Sequence, residues 1–135
     1  MKKIIIAIVV LLVLAGAYGF YLFNKKTPSL EKVTPDFSLT AEELYIDFST
    51  NEKSALEKYE GKVLQIEGEI LTYSKTDSIS NIVFNADDAL FGAVNCSFNT
   101  LNKNLKKNET IVVKGLCQGF LNSVILNNCV IVNKI

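Results

Sequence analysis

Three cysteines, Cys96, Cys117 and Cys129, have the most distinctive side-chain chemistry in this 135-residue chain. No two of them have the C-x-x-C spacing, and the sequence contains no histidine to complete a zinc-binding set. The absence of histidine also removes the usual general base, and the adjacent carboxylates Asp87 and Asp88 are typical of a turn. The sequence therefore predicts a protein that is not an enzyme and that has no metal site and no cofactor.

The charge of the chain argues against nucleic acid as a partner. Arginine is absent, and four of the fourteen lysines, Lys2, Lys3, Lys25 and Lys26, flank a long apolar run. The other ten lysines stand against fourteen acidic residues, so residues 27–135 have a net charge of −4. Phosphate neutralisation supplies most non-specific nucleic-acid affinity, and arginine is the side chain that binds phosphate through two parallel hydrogen bonds. We therefore keep nucleic-acid binding only as an alternative.

The apolar run Ile4–Phe23 has twenty residues without a charge. At about 1.5 Å per helical residue it covers the roughly 30 Å hydrocarbon core of a bilayer. A short basic start before one apolar span predicts a single-pass protein of the cell membrane with an extracytoplasmic, periplasmic C-terminal domain. A cleaved secretory signal with Ala15-Gly16-Ala17 as its cleavage site is the competing interpretation, although the apolar residues that continue to Phe23 favour an anchor. Both interpretations export residues 27–135.

The composition divides the chain into three parts. Residues 1–26 are the predicted membrane anchor or signal segment. Residues 27–37 contain two prolines and no apolar period, which predicts a linker. Residues 38–135 are enough for one domain with a single modest core.

Two short helices are predicted at the start of this domain. Thr40 and Glu43 have the spacing of a capping box, which predicts a helix over Ala41–Phe48. Asn51 is suited to cap a second helix, and Gly61 is suited to end it. The simplest role of this helix pair is packing against the domain core.

From Lys62 onward the apolar period changes from helical to alternating. Leu64, Ile66 and Ile70 share one face of the first predicted strand. Four more strands are predicted, with a short helix or an irregular link over Asn99–Asn108: Asn81–Asn85, Leu90–Phe98, Thr110–Gln118 and Val124–Val132. In the fourth strand, Lys114 is expected to point outward. Five strands with this connection predict a small, strongly bent barrel.

Several segments resemble a family of bacterial exported proteins called tRNA-anticodon-like, or tRNA_anti-like. They are GKVLQIEGEI (Gly61–Ile70), NCSF (Asn95–Phe98), VKGLCQGFLNSVILNNC (Val113–Cys129) and the lead-in DFSLTAEELY (Asp36–Tyr45). The resemblance covers about Asp36–Val132 and implies a mainly β protein, namely a five-stranded OB-fold barrel preceded by short helices. It implies no function, because the family is named for its fold. Two positions depart from the expected pattern: Asn108 replaces a frequent glycine, and Asn122-Ser123 occupies a turn where an aspartate is expected.

The cysteines can now be placed on the predicted strands. Cys117 and Cys129 lie at equal distances from Ser123, on the two strands of the last hairpin. An oxidising compartment permits a disulfide between them if their Cα atoms approach to about 4.4–6.8 Å. The alternative is that all three cysteines are small, buried apolar side chains. We predict the Cys117–Cys129 disulfide, with Cys96 as a buried thiol.

OB barrels bind ligands across their second and third strands, between the loops that join strands one to two and four to five. In this sequence those loops carry Tyr73 and Lys75, then Phe120. Phe91 and Asn95 are expected on the outer face of the third strand. These five residues are the predicted ligand-binding residues, because aromatic rings there could stack on a base or a sugar. The simpler interpretation of Phe91 is that it packs beneath the N-terminal helices.

These observations favour a membrane-anchored, extracytoplasmic OB-fold binding module without catalytic activity. It contacts the membrane through residues 4–23, and its further partner is a protein or a small ligand. One alternative is a single-stranded nucleic-acid-binding OB protein, which Tyr73, Phe91 and Phe120 would support. The other is a structural envelope protein that docks on another protein through an apolar patch around Phe120 and Leu121.

Overall fold

The first element is an apolar helix that no other part of the described chain buries. The computed structural model describes residues 1–24, 29–90, 92–101 and 103–134. Helix α1 (Lys2–Asn24) has 23 residues, and none of them is buried. Its length and composition suffice to cross a bilayer, a property that signal sequences near an N-terminus share. The membrane anchor and the cleaved signal therefore both stay open for this helix.

Two short helices, α2 (Ala41–Thr50) and α3 (Glu52–Tyr59), precede the long strands as predicted. The Thr40 hydroxyl accepts from the Glu43 N–H at 3.1 Å, and the Glu43 carboxylate accepts from the Thr40 N–H at 2.9 Å. The side chain of Asn51 caps α3. These caps satisfy backbone donors that the first helical turn leaves unpaired, which confirms both predicted helix starts.

The helix pair contributes its apolar side chains to the core. Leu44, Phe48 and Tyr59 are at most 1 % exposed. The Tyr59 hydroxyl donates to Asp47 Oδ2 at 2.6 Å, which fastens α3 to α2. Gly61 follows α3 with a φ of 71°, a backbone conformation that favours glycine and that ends the helix.

The strands of the described residues form one closed barrel. The sheet order is β1-β2-β3-β4-β6-β5, and pairing of β2 with β5 closes it. The strands are β1 (Phe37–Thr40), β2 (Val63–Lys75), β3 (Ser80–Phe84), β4 (Val94–Phe98), β5 (Thr110–Leu121) and β6 (Ser123–Lys134). Strands β2 to β6 correspond to the five predicted strands, so the barrel is confirmed. Strand β1 is an addition that the sequence pattern does not predict, and it runs parallel to β2 at the edge of the sheet.

Strand β2 is long enough to pair with two neighbours in turn. Residues Val63–Glu69 pair with β5, and residues Ile70–Lys75 pair with β3, with a register shift between Ile70 and Thr72. A Cβ on Gly68 would lie 2.9 Å from the ring of Phe84, so the missing side chain lets β3 approach β2 at the bend. The bend turns the sheet into a barrel.

The predicted alternation agrees with the observed core. Leu64, Ile66 and Ile70 have no exposed surface. Facing them are the inward residues of the other strands: Ile82, Phe84, Val94, Cys96, Phe98, Ile111, Val113, Cys117 and Leu126. Between β4 and β5, the described residues form an irregular link rather than a helix, and its Leu101 and Leu105 are buried in the same core. Asn108 ends this link with a φ of 65°.

Residues 29–36, which we call the latch segment, lie against the barrel. Leu30, in a short 3-10 turn, is 7 % exposed. Lys114 points to the outer side of β5 as predicted, but it is only 8 % exposed because the latch segment covers it. Its ammonium donates to the carbonyls of Glu31 at 2.8 Å and Val33 at 3.0 Å. Part of the predicted linker thus lies on the barrel, while the domain boundaries themselves stay a prediction.

Candidate functional site

The outer face of β3 and β4 corresponds to the face on which OB barrels bind ligands. It is polar: the Ser97 hydroxyl donates to Asn81 Oδ1 at 2.9 Å. Asn95 lies beside them on β4, opposite Val83 of β3 and Ile125 of β6. Its Oδ1 is buried and has no hydrogen-bond partner among the described residues. A buried acceptor without a partner costs free energy, so a ligand that donates to this oxygen would gain affinity once the Asn95 side chain rotates to expose it.

The loop between β3 and β4 covers part of this face. Gly92, with a φ of 94°, lies so close to Val83 that a Cβ on Gly92 would overlap the valine side chain. The same Cβ would lie 3.4 Å from Leu71. This end of the face is therefore occupied by the protein itself, and the polar strip of Asn81, Asn95 and Ser97 is what a ligand could reach.

Tyr73 does not belong to the ligand face. It lies within β2 rather than in the following loop, and its register partner is the fully buried Ile82. The ring packs against the core, and the hydroxyl is buried without a partner among the described residues. The strand continues past Tyr73 because its turn comes later, where the Thr76 N–H donates to the Ile79 carbonyl at 2.9 Å. The expected position of Tyr73 in the loop is therefore corrected.

Phe120 connects the barrel to the helices. Its ring stacks on Phe48 with centroids 5.5 Å apart and planes at 15°, and it contacts Tyr45 at 6.1 Å. Phe120 thus packs beneath the helices, which is the position that the simpler interpretation gave to Phe91. Phe91 itself lies outside the described residues.

The predicted ligand-binding residues do not come together in one site. Tyr73 points into the barrel, Asn95 lies on its outer face, and Phe120 packs under α2. Lys75 is exposed at the last position of β2. Of the described members of the set, Asn95 is the one that lies on the outer face of β3 and β4.

A shallow cavity beside the β5–β6 turn is a feature that sequence reasoning missed. It has a volume of about 260 Å³ and is lined by Tyr45, Asp88, Leu90, Phe120 and Asn122. The sequence pattern places Leu90 in a strand, but β4 starts only at position 94, so Leu90 lies in a loop and is 92 % exposed. The signal that could have identified it is the position of Leu90 between the turn-forming acids Asp87 and Asp88 and the glycine at position 92, which together indicate a loop.

The cysteines are free, buried thiols inside the barrel. Across the hairpin, Cys117 is opposite Leu126, and the predicted Cys117–Cys129 bond is not present. The Cys96 thiol instead shares a hydrogen bond with Cys129, and burial, followed by this neighbour, raises the pKa of Cys96 well above its ordinary value. Burial also raises the pKa of Cys117 to about 11. Since the thiolate is the reactive form, none of this favours a nucleophilic role.

The comparisons with known proteins agree with the fold. The tRNA_anti-like family profile matches residues 1–131, nearly the entire chain. The chain belongs to this family. No curated protein matches it.

Proposed function

We propose that this chain is a membrane-anchored OB-fold binding module that works outside the cytoplasm without catalysing a reaction. The observation that carries the proposal is α1, an apolar helix of 23 residues with none buried, joined to a closed barrel of a family with a binding fold. A helix with no protein surface to cover its apolar side chains gains stability from lipid. The barrel core, by contrast, is fully covered by its own helices and loops.

The proposed direction of insertion places Lys2 and Lys3, before the apolar run, on the cytoplasmic side of the membrane. Lys25 and Lys26 stand at the other end of the run and oppose this direction. The arrangement that we propose has the acidic barrel, with a net charge of −4 over residues 27–135, outside the cytoplasm.

The ligand face supports a neutral partner rather than a polyanion. Its polar strip consists of the amides of Asn81 and Asn95 and the hydroxyl of Ser97, without a charged side chain among them. No arginine is present in the sequence to bind phosphate. Amide and hydroxyl groups recognise the hydrogen-bonding groups of a small polar ligand or of a protein segment.

Membrane topology gives the direct test. In spheroplasts, in which the outer membrane no longer shields the periplasmic side, an added protease should digest the barrel and leave a fragment that ends near Asn24 in the membrane. The mass of the untreated protein should be that of the full chain. Release of the barrel into the soluble fraction with cleavage after Ala17 would show a signal sequence instead. Complete protection of the full chain would place the barrel in the cytoplasm and contradict the proposal.

A further inference from the structure

The chain between the end of α1 and the start of the latch segment is short. Ser29 caps the 3-10 turn that contains the buried Leu30. The Lys114 ammonium donates hydrogen bonds to the carbonyls of Glu31 and Val33. Only residues 25–28 separate the end of α1 from Ser29. A chain of five residue steps spans at most about 18 Å. A barrel joined to a membrane-spanning α1 is therefore held close to the bilayer surface.

An apolar surface lies at one end of this barrel. We call it the apical patch and define it by Tyr45, Leu90, Phe120 and Leu121. Leu90 is 92 % exposed and Leu121 is 75 % exposed, the highest values for large apolar residues after Asn24 in the described chain. Leu90, Tyr45 and Phe120 line the same cavity, and Leu121 is at the adjoining hairpin turn. Two adjacent loops thus present leucines at their tips.

We propose that the apical patch rests in the interfacial region of the bilayer that α1 spans. This inference rests on the proposed anchoring of α1. Leu121 is seven residues beyond Lys114 on β5, a distance of about 23 Å along a strand. A latch held within about 18 Å of the bilayer lets the hairpin tip reach the surface when β5 is inclined toward it.

The short connection also explains why two leucines suffice. Once α1 is inserted, contact between the patch and lipid is intramolecular, so the effective concentration of the surface is high. Tyrosine rings such as Tyr45 are favoured at the membrane interface because they combine an apolar body with a polar tip.

The charges near the patch define the kind of lipid surface. Asp88 lines the cavity and Asp87 precedes it, and no lysine is among the lining residues. Carboxylates are repelled by anionic headgroups. The partner is therefore a zwitterionic lipid surface that is bound through its apolar interface, and anionic lipid should not strengthen the contact.

The chain has no tryptophan, so single-tryptophan variants report on one position each. We would place Leu90→Trp, Leu121→Trp and, as the matched control, Ile79→Trp separately in the full chain. Ile79 is 48 % exposed in the β2–β3 turn, at the other end of β3 from the loop that carries Leu90. All three positions are exposed, so the substitutions preserve the core.

The variants are reconstituted in phosphatidylcholine vesicles, with and without brominated acyl chains. We expect a blue-shifted emission and at least twofold quenching by bromine for Leu90→Trp and Leu121→Trp, and neither for Ile79→Trp. Replacing a third of the lipid with phosphatidylglycerol should not increase the quenching.

Flotation of the vesicles separates the two ways to fail. Protein that floats without quenching at positions 90 and 121 overturns the patch contact and leaves the anchoring intact. A blue shift without bromine quenching also overturns it, since a protein surface would then cover the patch. Protein that does not float refutes the anchoring and the inference together.

Discussion

Lys114→Met should release the latch segment from the barrel. Methionine keeps the apolar stem but removes the two hydrogen bonds that the ammonium donates to Glu31 and Val33 at 2.8 and 3.0 Å. Hydrogen bonds from a charged donor contribute about 1.5–3 kcal/mol each. The freed carbonyls belong to a surface segment that can detach and bind water, so we expect a net loss at the low end, about 2 kcal/mol.

Thermal unfolding and amide hydrogen exchange measure this effect. For a domain of this size, 1 kcal/mol corresponds to about 4 °C, so Tm should fall by about 8 °C. Amides of the latch segment should exchange faster than in the unsubstituted protein. Amides of β4 and β6 should remain more protected than those of the latch segment. Lys75→Met is the control, because Lys75 is exposed at the end of β2. Equal behaviour of the two variants would refute the role assigned to Lys114.

Three further predictions concern the core, the thiols and the ligand. Gly115→Ala places a Cβ 2.6 Å from Cys129 Sγ, so it should cost about 1–3 kcal/mol in chemical denaturation, and Cys129→Ala in the same chain should recover part of that loss. Burial raises the pKa of Cys117 to about 11, so the folded protein favours the protonated thiol. The free energy of unfolding that this preference contributes is fully present below the ordinary pKa of 9.0 and is lost as pH rises toward 11. Alkylation at pH 8 should accordingly be slow in the folded state and fast in denaturant, and equal rates would contradict the burial. Titration with single-stranded DNA or RNA should show no binding tighter than about 10⁻⁴ M at physiological salt, whereas micromolar binding with a steep salt dependence would restore the nucleic-acid alternative.

The elements with local signals could be predicted from the sequence. The caps of α2 and α3 depend on side chains within three residues of the backbone groups that they bind. The barrel strands depend on a period-two alternation that a half-buried strand requires. Both signals are contained in short windows of the chain. For the same reason Asn108 and Asn122 could be identified as turn residues, and both have a positive φ.

The errors arise where one residue of register or one distant contact decides the outcome. Tyr73 changes from the ligand loop to the barrel interior because β2 continues to Lys75, and side chains on a strand alternate between faces. Cys117 is opposite Leu126 rather than Cys129 for two reasons: the hairpin turns at Asn122, where Leu121 pairs with Ser123, and the register shifts by one further residue between Cys117 and Gly119. Such bulges insert extra residues that the spacing of cysteines in the sequence does not reveal.

The packing of the latch segment could not be predicted from local sequence patterns, for a different reason. Lys114 and the carbonyl of Glu31 are 83 residues apart, and an isolated lysine on a strand usually points to water. Burial of its ammonium is tolerated only because two backbone carbonyls accept its hydrogen bonds. The latch segment, which contains a proline and has no apolar period, is therefore held on the barrel by Lys114, a residue in a distant part of the sequence.

The position of the latch also determines where the ligand face points. In the closed order β2-β3-β4-β6-β5, strand β5 has β2 and β6 as neighbours, so the β3–β4 pair lies on the opposite side of the barrel. The latch segment joins α1 to the β5 side through four residues. When α1 spans the bilayer, the side of the barrel that carries Lys114 is held near the lipid. The polar strip of Asn81, Asn95 and Ser97 then lies on the side of the barrel opposite the latch segment, where a neutral ligand or a partner protein can approach it from the aqueous phase.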